Sequence, residues 1–598
     1  MTLRLIGESE QVAGRYADST WVFDIPPTER DFELILDGQV VSKKAKVVPP
    51  AAAIDLDEGK VAFGSAPIPI DDGRLQQLWF KQGVVDQDRW DVIVVGTGIG
   101  GGSVIAELSR QQYRDKSWRK FTVLGLEAGS LLFTGHVANQ PRVLFGQSGR
   151  GATALWNSLS ELGSRPYSLS NALKAKDAWG GYQVFALGGR SLFWGGLCPR
   201  MDRADLTAWP DNVVAELRGP NRFGPAYYDR AEETLGVHKS RRTGLERDCL
   251  RLLNRLYPGR VNDPAPVAIP RPKRSDWTIP DGMFSTAELL LAQRLGRADG
   301  EDSYGPPYID LAQLVVAIEP DADGWVVHGV DLRDGSPTCR RARKVVLGAG
   351  TIETPRIMKT SALRQGPESI GHFLTEHLMA HMWFEIPRNS PYYRSARAAN
   401  LLSRPGCQYE PFDLGRCNVQ LQVNSDLIFD QPRMPGVPPN QTVTKDGAVA
   451  AQLVFMAGRD LDPDGQVKFY NNKSWLPGLG GNRKPPAARL NLNRINALPD
   501  GWEATGRRVI GELGGECLPN LADDLTVSAS GAVSHEVGTM RMGASRDCAV
   551  VDENLQVFGQ RGLYVCDNSV FASSPAANPS LTLAALGIRL ADHLWSAK

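Results

Sequence analysis

A short apolar strand that runs directly into a glycine cluster and then into a helix restricts the fold of this chain more than any other feature. The segment WDVIVVGTGIGGGSVIAELSRQ begins at Trp90, and Gly96, Gly98 and Gly101 occupy the three positions of a GxGxxG motif. The first glycine allows a tight turn, the second lets the backbone approach a pyrophosphate, and the third lets the helix pack on the strand. This order predicts a βα turn that binds a dinucleotide at the helix N-terminus.

The next strand-like run, FTVLGLE, ends in the acidic residue Glu127. A carboxylate at this place can accept a hydrogen bond from a ribose hydroxyl, and it disfavours the 2′-phosphate of NADP. The spacing from the glycine motif exceeds the usual ~20 residues, and the polar segment RQQYRDKSWRK accounts for the excess as a lengthened helix end. A glycine-rich turn without a ligand is the alternative.

Further strand and helix signals occur in the middle and at the end of the chain. ARKVVLGAGTIETPRIMKTSA repeats the order of strand, glycine turn and helix, GLYVCDNSVF indicates a buried strand, and NPSLTLAALGIRLADHLW has apolar residues at helical spacing. One α/β sheet is therefore expected from separated segments, with the regions between them as insertions. The predicted divisions are an N-terminal β-rich module (1–85), a dinucleotide-binding domain in three parts (86–204, 311–375 and 531–598) and a β-sheet-based substrate domain in two parts (205–310 and 376–530).

Composition excludes several classes of partner. Lysine plus arginine and aspartate plus glutamate both number 67, so no global field attracts nucleic acid or an anionic membrane. The eight cysteines are scattered without a CxxC pair, as expected for free thiols in a reducing compartment. No signal-peptide pattern and no apolar run of about 18 residues occurs, which predicts a soluble, cytoplasmic protein. The N-terminal module is interpreted as a packing or oligomerisation appendage.

A second glycine-rich segment, LGGRSLFWGGLCPRM, contains Gly188, Gly189, Ser191, Trp194 and Gly195. Two glycine pairs that flank an aromatic cluster let the backbone run close to a flat ligand. These five residues are therefore candidate cofactor contacts. An ordinary structural loop is the alternative.

The ordered motifs WDVIVVGTGIGGG, LEAGS, GGRSLFWGG, KVVLGAGTIETPRIM, IGHFLTEH, HEVGTMRMG and ANPSLT resemble the glucose-methanol-choline (GMC) family of FAD oxidoreductases. Within that family the chain looks most similar to the pyranose oxidase branch and related sugar dehydrogenases. The resemblance spans about residues 88–598. It implies FAD as cofactor and oxidation of an alcohol, most simply a sugar or glycoside hydroxyl, to a carbonyl. The electron acceptor is oxygen or another acceptor.

The resemblance also implies roles for three residues near the C-terminus. His535 in the HxxGT segment and Asn578 would meet over the flavin, with His535 as the base and Asn578 as hydrogen-bond donor to the developing alkoxide while hydride leaves for flavin N5. Asp567, at the end of a strand, would contact the cofactor. The alternatives are a histidine that only satisfies a buried hydrogen bond, an asparagine that caps the last helix, and a turn aspartate.

One position departs from relatives that attach flavin through a histidine just before the tryptophan of this motif, because Phe193 stands there. Non-covalent FAD is therefore expected, and Gly195 replaces a polar residue common in that branch. His377 and His381 lack a third ligand, so metal is not expected. The loops at 429–441 and 471–486 are candidates for a lid or plain surface connections. The rival functions are lyase-type chemistry on the same scaffold, a binding protein with structural FAD, and an NAD-dependent dehydrogenase.

Overall fold

The computed structural model divides the chain into two compact units, Met1–Gln77 and Leu78–Lys598. In the first unit the structure describes the strands. In the second unit it describes residues 87–115, 120–136, 164–165, 168–169, 183–239, 244–269, 282–295, 306–361, 363, 367–394, 399–406, 414, 416–423, 448–474, 486–492, 499, 501–518, 525–528, 531 and 533–597.

The first unit consists of short antiparallel strands, as the alternating runs TWVFDI, FELIL, VVSKKAKVV and KVAFG predict. Its strands are β1 (Thr2–Leu5), β2 (Gln11–Ala13), β3 (Arg15–Ala17), β4 (Thr20–Val22), β5 (Asp31–Leu36), β6 (Gln39–Lys46), β7 (Ala52–Asp55) and β8 (Lys60–Phe63). A four-stranded sheet has the order β2-β1-β5-β6, and β3-β4 and β7-β8 form separate pairs. The predicted N-terminal β-rich module is confirmed.

The second unit alternates strands and helices along the chain. Its strands are β9 (Trp90–Val95), β10 (Val123–Leu126), β11 (Ser164–Arg165), β12 (Ser168–Leu169), β13 (Gln183–Val184), β14 (Val237–Lys239), β15 (Val261–Pro264), β16 (Pro266–Ala268), β17 (Tyr308–Asp310), β18 (Gln313–Asp321), β19 (Gly324–Asp331), β20 (Pro337–Leu347), β21 (Leu378–Ile386), β22 (Ala399–Arg404), β23 (Cys417–Val423), β24 (Val449–Ala457), β25 (Gln466–Ser474), β26 (Pro486–Asn491), β27 (Glu516–Cys517), β28 (Thr526–Val527) and β29 (Leu563–Val565).

The helices of this unit are α1 (Ile99–Arg114), α2 (Asp211–Arg218), α3 (Tyr227–Leu235), α4 (Gly244–Leu256), α5 (Thr286–Leu295), α6 (Glu353–Thr360), α7 (Gly501–Glu512) and α8 (Ser580–Ser596), with 3-10 turns at Gly189–Leu192, Ala204–Leu206 and Asn568–Val570. Among the residues that the structure describes, no helix has the length and apolar character needed to cross a membrane.

The first large sheet collects strands from the start, middle and end of the unit. Its order is β17-β10-β9-β20-β19-β18, and β29 lies beside β20. The strands β17, β10, β9, β20 and β29 are parallel, whereas β18 and β19 form an antiparallel extension. The predicted α/β sheet assembled from separated segments is therefore confirmed. β17 lies in the interval 205–310, which the sequence pattern assigned to the substrate domain, yet it pairs with β10 of this sheet.

The second large sheet is antiparallel and has the order β15-β22-β23-β24-β21-β27, with β28 beside β21. One face is covered by α4 and α7, whose side chains, including Leu253 and Trp502, join the core formed by Phe384, Leu421 and Phe455. Successive side chains of each strand point to opposite faces of the sheet, so only every second side chain faces these helices. Residues 429–441 and 475–485, most of the two proposed lid loops, lie outside the described part of the chain.

A buried ion network joins three helices behind the first sheet. Arg230 of α3 binds Asp592 of α8 at 2.5 Å and Glu107 of α1 at 2.9 Å, and its side chain is only 14% exposed. The side chain of Gln111 donates to both carboxylates, at 3.1 Å to Glu107 and 2.6 Å to Asp592. Since removal of one partner leaves buried charge uncompensated, this network should be sensitive to truncation of the arginine.

Arg230→Ala is expected to lower the free energy of unfolding by about 3–5 kcal/mol, because Glu107 and Asp592 would remain buried without their cation. The matched control is Arg251→Ala, which removes an exposed arginine paired with Asp248 and should change stability by less than about 0.5 kcal/mol. Thermal unfolding followed by circular dichroism compares the two variants. Equal midpoints would show that the network does not stabilise the helix packing.

Candidate active site

The three glycines of the first turn differ in what surrounds them. A side chain at Gly96, where φ is +95°, would lie 2.4 Å from the carbonyl oxygen of Gly348, and one at Gly101 would lie 2.1 Å from that of Gly96. A side chain at Gly98 would meet nothing within 4 Å. Gly98 is the N-cap of α1, so the open space lies at the positive end of a helix dipole. This cradle fits the phosphate group that the motif predicts.

Glu127 follows β10 and binds the backbone of the glycine turn. Its Oε2 accepts from the Thr97 N–H at 3.0 Å and from the Thr97 hydroxyl at 2.6 Å, while its Oε1 accepts from Gly129 N–H at 3.0 Å. Burial raises the pKa of Glu127, and these hydrogen bonds oppose that shift. The carboxylate therefore shapes the turn, and Oε1 keeps acceptor capacity for a ribose hydroxyl.

The second glycine-rich segment meets the first one directly. The Gly188 N–H donates to the Thr97 hydroxyl oxygen at 3.0 Å. A side chain at Gly189, where φ is +52°, would lie 3.4 Å from the Cα of Gly98. Thr97, which is fully buried, thus connects Glu127 to both glycine segments. The sequence prediction omitted it because the x positions of GxGxxG carry no residue preference of their own.

Ser191 lies beside these glycines, but its hydroxyl is engaged within the protein. The hydroxyl donates to the Gly188 carbonyl at 2.7 Å, lies 2.7 Å from the Thr286 hydroxyl, and accepts from the Thr286 N–H at 2.9 Å. Thr286 is the first residue of α5. Ser191 therefore attaches the glycine segment to α5, and its contact with the cofactor remains a prediction.

Trp194 and Gly195 follow at the edge of this segment. The Trp194 indole N–H donates to the Phe284 carbonyl at 2.7 Å, and the Trp194 carbonyl accepts from Nε2 of His136 at 2.9 Å. Burial lowers the pKa of His136 to about 4, so this ring is neutral. Gly195 is exposed, which keeps the backbone accessible at this point.

Asp567 lies just beyond β29 and connects three turns. Its Oδ2 accepts from the Gly350 N–H at 2.9 Å and from the Thr354 hydroxyl at 2.5 Å, and its Oδ1 accepts from the Ser569 N–H at 2.9 Å. Burial raises the pKa of Asp567, against the effect of these bonds. The carboxylate thus secures the turn after β20, next to the glycine cradle, and also caps the short helix that follows.

The segment that carries His535 is fixed by a buried carboxyl group. Glu376 accepts from the Gly531 N–H at 2.5 Å and from the His535 N–H at 3.1 Å. Burial, followed by the neighbouring Glu536, raises the pKa of Glu376 to about 8. Glu536 in turn pairs with Arg190 at 2.5 Å. The loop is therefore tied on one side to Glu376 and on the other to the glycine segment through Arg190.

His535 stands edge to face with a second histidine. Nδ1 of His535 lies 2.9 Å from Nε2 of His377, and Nδ1 of His377 lies 2.7 Å from the Pro575 carbonyl oxygen. Burial lowers the pKa of His377 to about 4. Burial, then His377 and Arg190, lower the pKa of His535 well below its usual value. Both rings are therefore neutral at neutral pH.

Asn578 lies three residues beyond Pro575, at the start of the last helix. The N-cap of α8 is Pro579, and no side chain caps this helix, so the capping alternative for Asn578 has no support. The Oδ1 atom of Asn578 is buried and has no hydrogen-bond partner among the described residues. A buried acceptor without a partner calls for an explanation, and a bound substrate or cofactor group supplies one.

The sequence prediction missed His377, Glu376 and Arg190 as parts of this site. His377 and Glu376 belong to the quoted motif IGHFLTEH, and Arg190 belongs to GGRSLFWGG. The motifs pointed to these residues but did not indicate what role each one has. Among the described residues, no group of three histidine, cysteine, aspartate or glutamate side chains is arranged to hold a metal ion.

Known proteins are similar to long segments of this chain. The family model described as GMC oxidoreductase matches residues 511–587, the part that carries His535 and Asn578. A C-glycoside 3-oxidase from Microbacterium trichothecenolyticum is 26% identical over 435 residues, which cover 68% of this chain and 75% of the relative. Choline oxidase from Arthrobacter globiformis is 36% identical over 284 residues, which cover 43% of this chain and 49% of that enzyme.

Solved structures share the fold at low identity. Pyridoxine 4-oxidase from Mesorbium loti superposes with a TM-score of 0.56 at 18% identity, over 84% of this chain and 99% of that chain. A variant of formate oxidase from Aspergillus oryzae gives a TM-score of 0.59 at 16% identity, over 86% and 99% of the two chains. The motifs, the sheet built from separated segments and these matches agree: residues 511–587 match the GMC oxidoreductase family, and the cofactor is FAD.

Proposed function

We propose that this enzyme oxidises a sugar or glycoside hydroxyl to a carbonyl, with His535 as the base and Asn578 as the hydrogen-bonding partner of the reacting oxygen. The observation that carries the proposal is the neutral His535 ring, which is hydrogen-bonded to His377. His377 also binds the Pro575 carbonyl, in the segment that leads to Asn578. Oxidation of an alcohol is the general chemistry, and the sugar or glycoside substrate is its more specific form.

The first glycine turn and its neighbours would hold FAD. The open space at Gly98, the N-terminus of α1 and the backbone at Gly188 and Gly189 suit the pyrophosphate, and Glu127 suits the ribose. When bound, FAD supplies the acceptor for the hydride that leaves the carbinol carbon.

The protein's own part of the reaction is to move a proton and to orient an oxygen. An alcohol becomes a good hydride donor once its hydroxyl proton is removed, and a neutral imidazole can take that proton. The lowered pKa of His535 keeps its ring unprotonated. Asn578 offers a carboxamide whose N–H can donate to the reacting oxygen. Its oxygen has no partner among the described residues and can accept from a further substrate or cofactor group.

The second large sheet presents a polar face that suits a substrate with several hydroxyls. This face is opposite the one covered by α4 and α7, and its side chains alternate with those of the helix-packed core. Amide side chains gather there on three neighbouring strands: Asn400, Asn418, Gln420, Gln422 and Gln452. Amides donate and accept hydrogen bonds, which matches hydroxyl groups.

The same face also approaches the catalytic segment. Met379 and Met456 of this face pack with Leu197 and Val533. Leu197 lies two residues after Gly195, and Val533 lies two residues before His535. The amide-rich face is therefore continuous with the wall that adjoins the base.

Asn418 is the clearest candidate for a substrate contact on this face. It is 1% exposed, and neither its Nδ2 nor its Oδ1 has a partner among the described residues. Each unpaired buried polar atom costs about 1–3 kcal/mol, so a structural role alone accounts poorly for this side chain. The similarity to C-glycoside 3-oxidases over about two thirds of the chain supports the same substrate class.

The direct test is an anaerobic screen in which glycosides, free sugars and simple alcohols are added to the holoenzyme. Loss of the long-wavelength flavin absorption band with a glycoside or sugar supports the proposal. Reduction by simple alcohols alone contradicts the sugar assignment. Absence of reduction with every alcohol favours lyase-type chemistry.

His535→Ala is expected to slow flavin reduction by about 10²–10⁴-fold, because the base is lost. In the unaltered enzyme the rate should stay constant above pH 6.5, since a base with a lowered pKa remains unprotonated until the pH falls well below that value. Stopped-flow measurement of flavin reduction across pH checks both points. A rate that declines between pH 8 and 6.5 would show that the base has an ordinary or raised pKa.

Asn418→Leu is expected to raise KM for a glycoside about tenfold, because hydrogen bonds to substrate hydroxyls are lost. Turnover of a small primary alcohol serves as the control and should change little, since such a substrate does not reach this side chain. Steady-state kinetics with the two substrates make the comparison. An unchanged glycoside KM together with a higher melting temperature would instead identify Asn418 as a buried polar residue without a binding role.

FAD is expected to be released when the enzyme is denatured with acid, because Phe193 offers no nucleophile at the position of a histidyl link. Its ring instead packs edge to face against Phe133, with centroids 6.2 Å apart. After precipitation and centrifugation, the flavin absorption should be in the supernatant. Flavin that stays in the protein pellet would reveal a covalent link from another residue.

A further inference from the structure

His377 and His535 lie close together because a short backbone bridge joins their two segments, which are far apart in the chain. Thr375 and Val537 exchange backbone hydrogen bonds, with N···O distances of 3.1 and 2.8 Å. In an antiparallel pair the residues two positions along from such a bridge also stand opposite each other. The bridge therefore sets His377 directly across from His535, and the two ring centroids lie 4.8 Å apart.

The hydrogen bond to Pro575 determines which nitrogen of His377 carries the proton. A carbonyl oxygen only accepts, so Nδ1 of His377, 2.7 Å away, must donate. A neutral imidazole with a proton on Nδ1 has a lone pair on Nε2. That Nε2 is the atom 2.9 Å from Nδ1 of His535. Nδ1 of His535 must therefore donate in turn, which leaves the lone pair of His535 on Nε2.

Burial keeps both rings neutral, and the charge on Arg190 adds to this effect at His535. Arg190 lies close enough to His535 to disfavour a second positive charge, and its guanidinium is paired with Glu536. Glu376, the remaining carboxyl group at this place, is bonded to backbone N–H groups of the loop and not to either ring. No carboxylate among the described residues is hydrogen-bonded to either imidazole. The tautomers are therefore set by the histidine pair and the carbonyl.

We propose that His377 is a positioning residue that fixes the tautomer and orientation of His535, so that Nε2 of His535 is the nitrogen presented to the substrate hydroxyl. This inference rests on the proposed function, since it assigns a role for the base in alcohol activation. It extends that function by a chain of contacts that runs from the Pro575 carbonyl through His377 to the base. The same chain links the base to the segment that leads to Asn578, three residues after Pro575.

The test compares two substitutions of His377 in the holoenzyme. His377→Leu removes the acceptor for Nδ1–H of His535, so the base loses its tautomer preference. Flavin reduction at saturating substrate should slow by between about 10-fold and 1,000-fold, the range seen when a group that orients a histidine is lost. FAD content and KM should change little.

His377→Gln should restore most of the rate. Its carboxamide can donate to the Pro575 carbonyl and accept from Nδ1–H of His535, as the imidazole does. His593→Leu is the matched control, because His593 is a half-buried histidine on α8 whose pKa is also lowered by burial. It lies outside the site and should leave the rate unchanged. Equal slowing in the leucine and glutamine variants would contradict a positioning role.

His535→Ala separates the two proposals. If it retains the rate of the unaltered enzyme, the proposed function fails. If it is inactive while His377→Leu keeps the original rate and pH profile, the positioning role alone fails.

A measurement on the unaltered holoenzyme does not depend on whether the variants fold. Nitrogen-15 NMR of the protein labelled at histidine distinguishes protonated from unprotonated ring nitrogens, and His535→Asn identifies the resonances of His535. We expect a neutral ring with the proton on Nδ1. A neutral ring with the proton on Nε2, or a protonated ring at neutral pH, would overturn the inference.

Discussion

Close contact between backbone atoms around the first glycine turn is the constraint on which the rest of the site depends. A side chain at Gly96 would lie 2.4 Å from the Gly348 carbonyl oxygen, and one at Gly100 would lie 2.1 Å from that of Cys566. These contacts join the turn after β9 to the turn after β20 and to the end of β29. Because only glycine permits such approach, three distant segments can end at one place. Thr97 then connects that place to Glu127 and to the second glycine segment.

The proposed reacting groups are held by a second set of long-range contacts. His535 is held by a bridge to the segment before β21, by the carboxyl group of Glu376 and by the ring of His377. His377 also binds the Pro575 carbonyl, so the approach to the last helix belongs to the same assembly. The position of the His535 ring thus depends on hydrogen bonds between segments that are 150 or more residues apart, and not on any single helix or strand.

Local patterns in the sequence predicted the parts of this structure that local chemistry decides. The glycine turn, the strand before it and the helix after it follow from residue spacing, and the fold class follows from repeats of that pattern. The pairing of His377 with His535 depends on a register between distant segments, which no periodicity encodes. Ser191 is predicted to contact the cofactor, and its hydroxyl also binds Thr286. The sequence does not show which hydroxyl finds an internal partner.

Two other signals in the sequence were available but were only partly used. The run NVQLQV places amides at every second position, a period-two pattern that indicates a strand with one polar face. The basic run CRRARK lies within β20, which begins at Pro337. Arg341 and Arg343 are exposed, so these basic residues cover a solvated part of the strand.

The shifted pKa values of the adjacent residues Glu376 and His377 affect how the stability of the fold depends on pH. The pKa of Glu376 is raised from 4.5 to about 8, so the folded chain binds this proton more tightly, and its contribution to stability declines as pH rises from 4.5 toward 8. The pKa of His377 is lowered from 6.5 to about 4, so its contribution declines as pH falls from 6.5 toward 4. Between pH 4.5 and 6.5 the two slopes have opposite signs. Glu376 therefore offsets part of the acid sensitivity of His377, whereas His535, whose pKa burial also lowers, adds to that sensitivity.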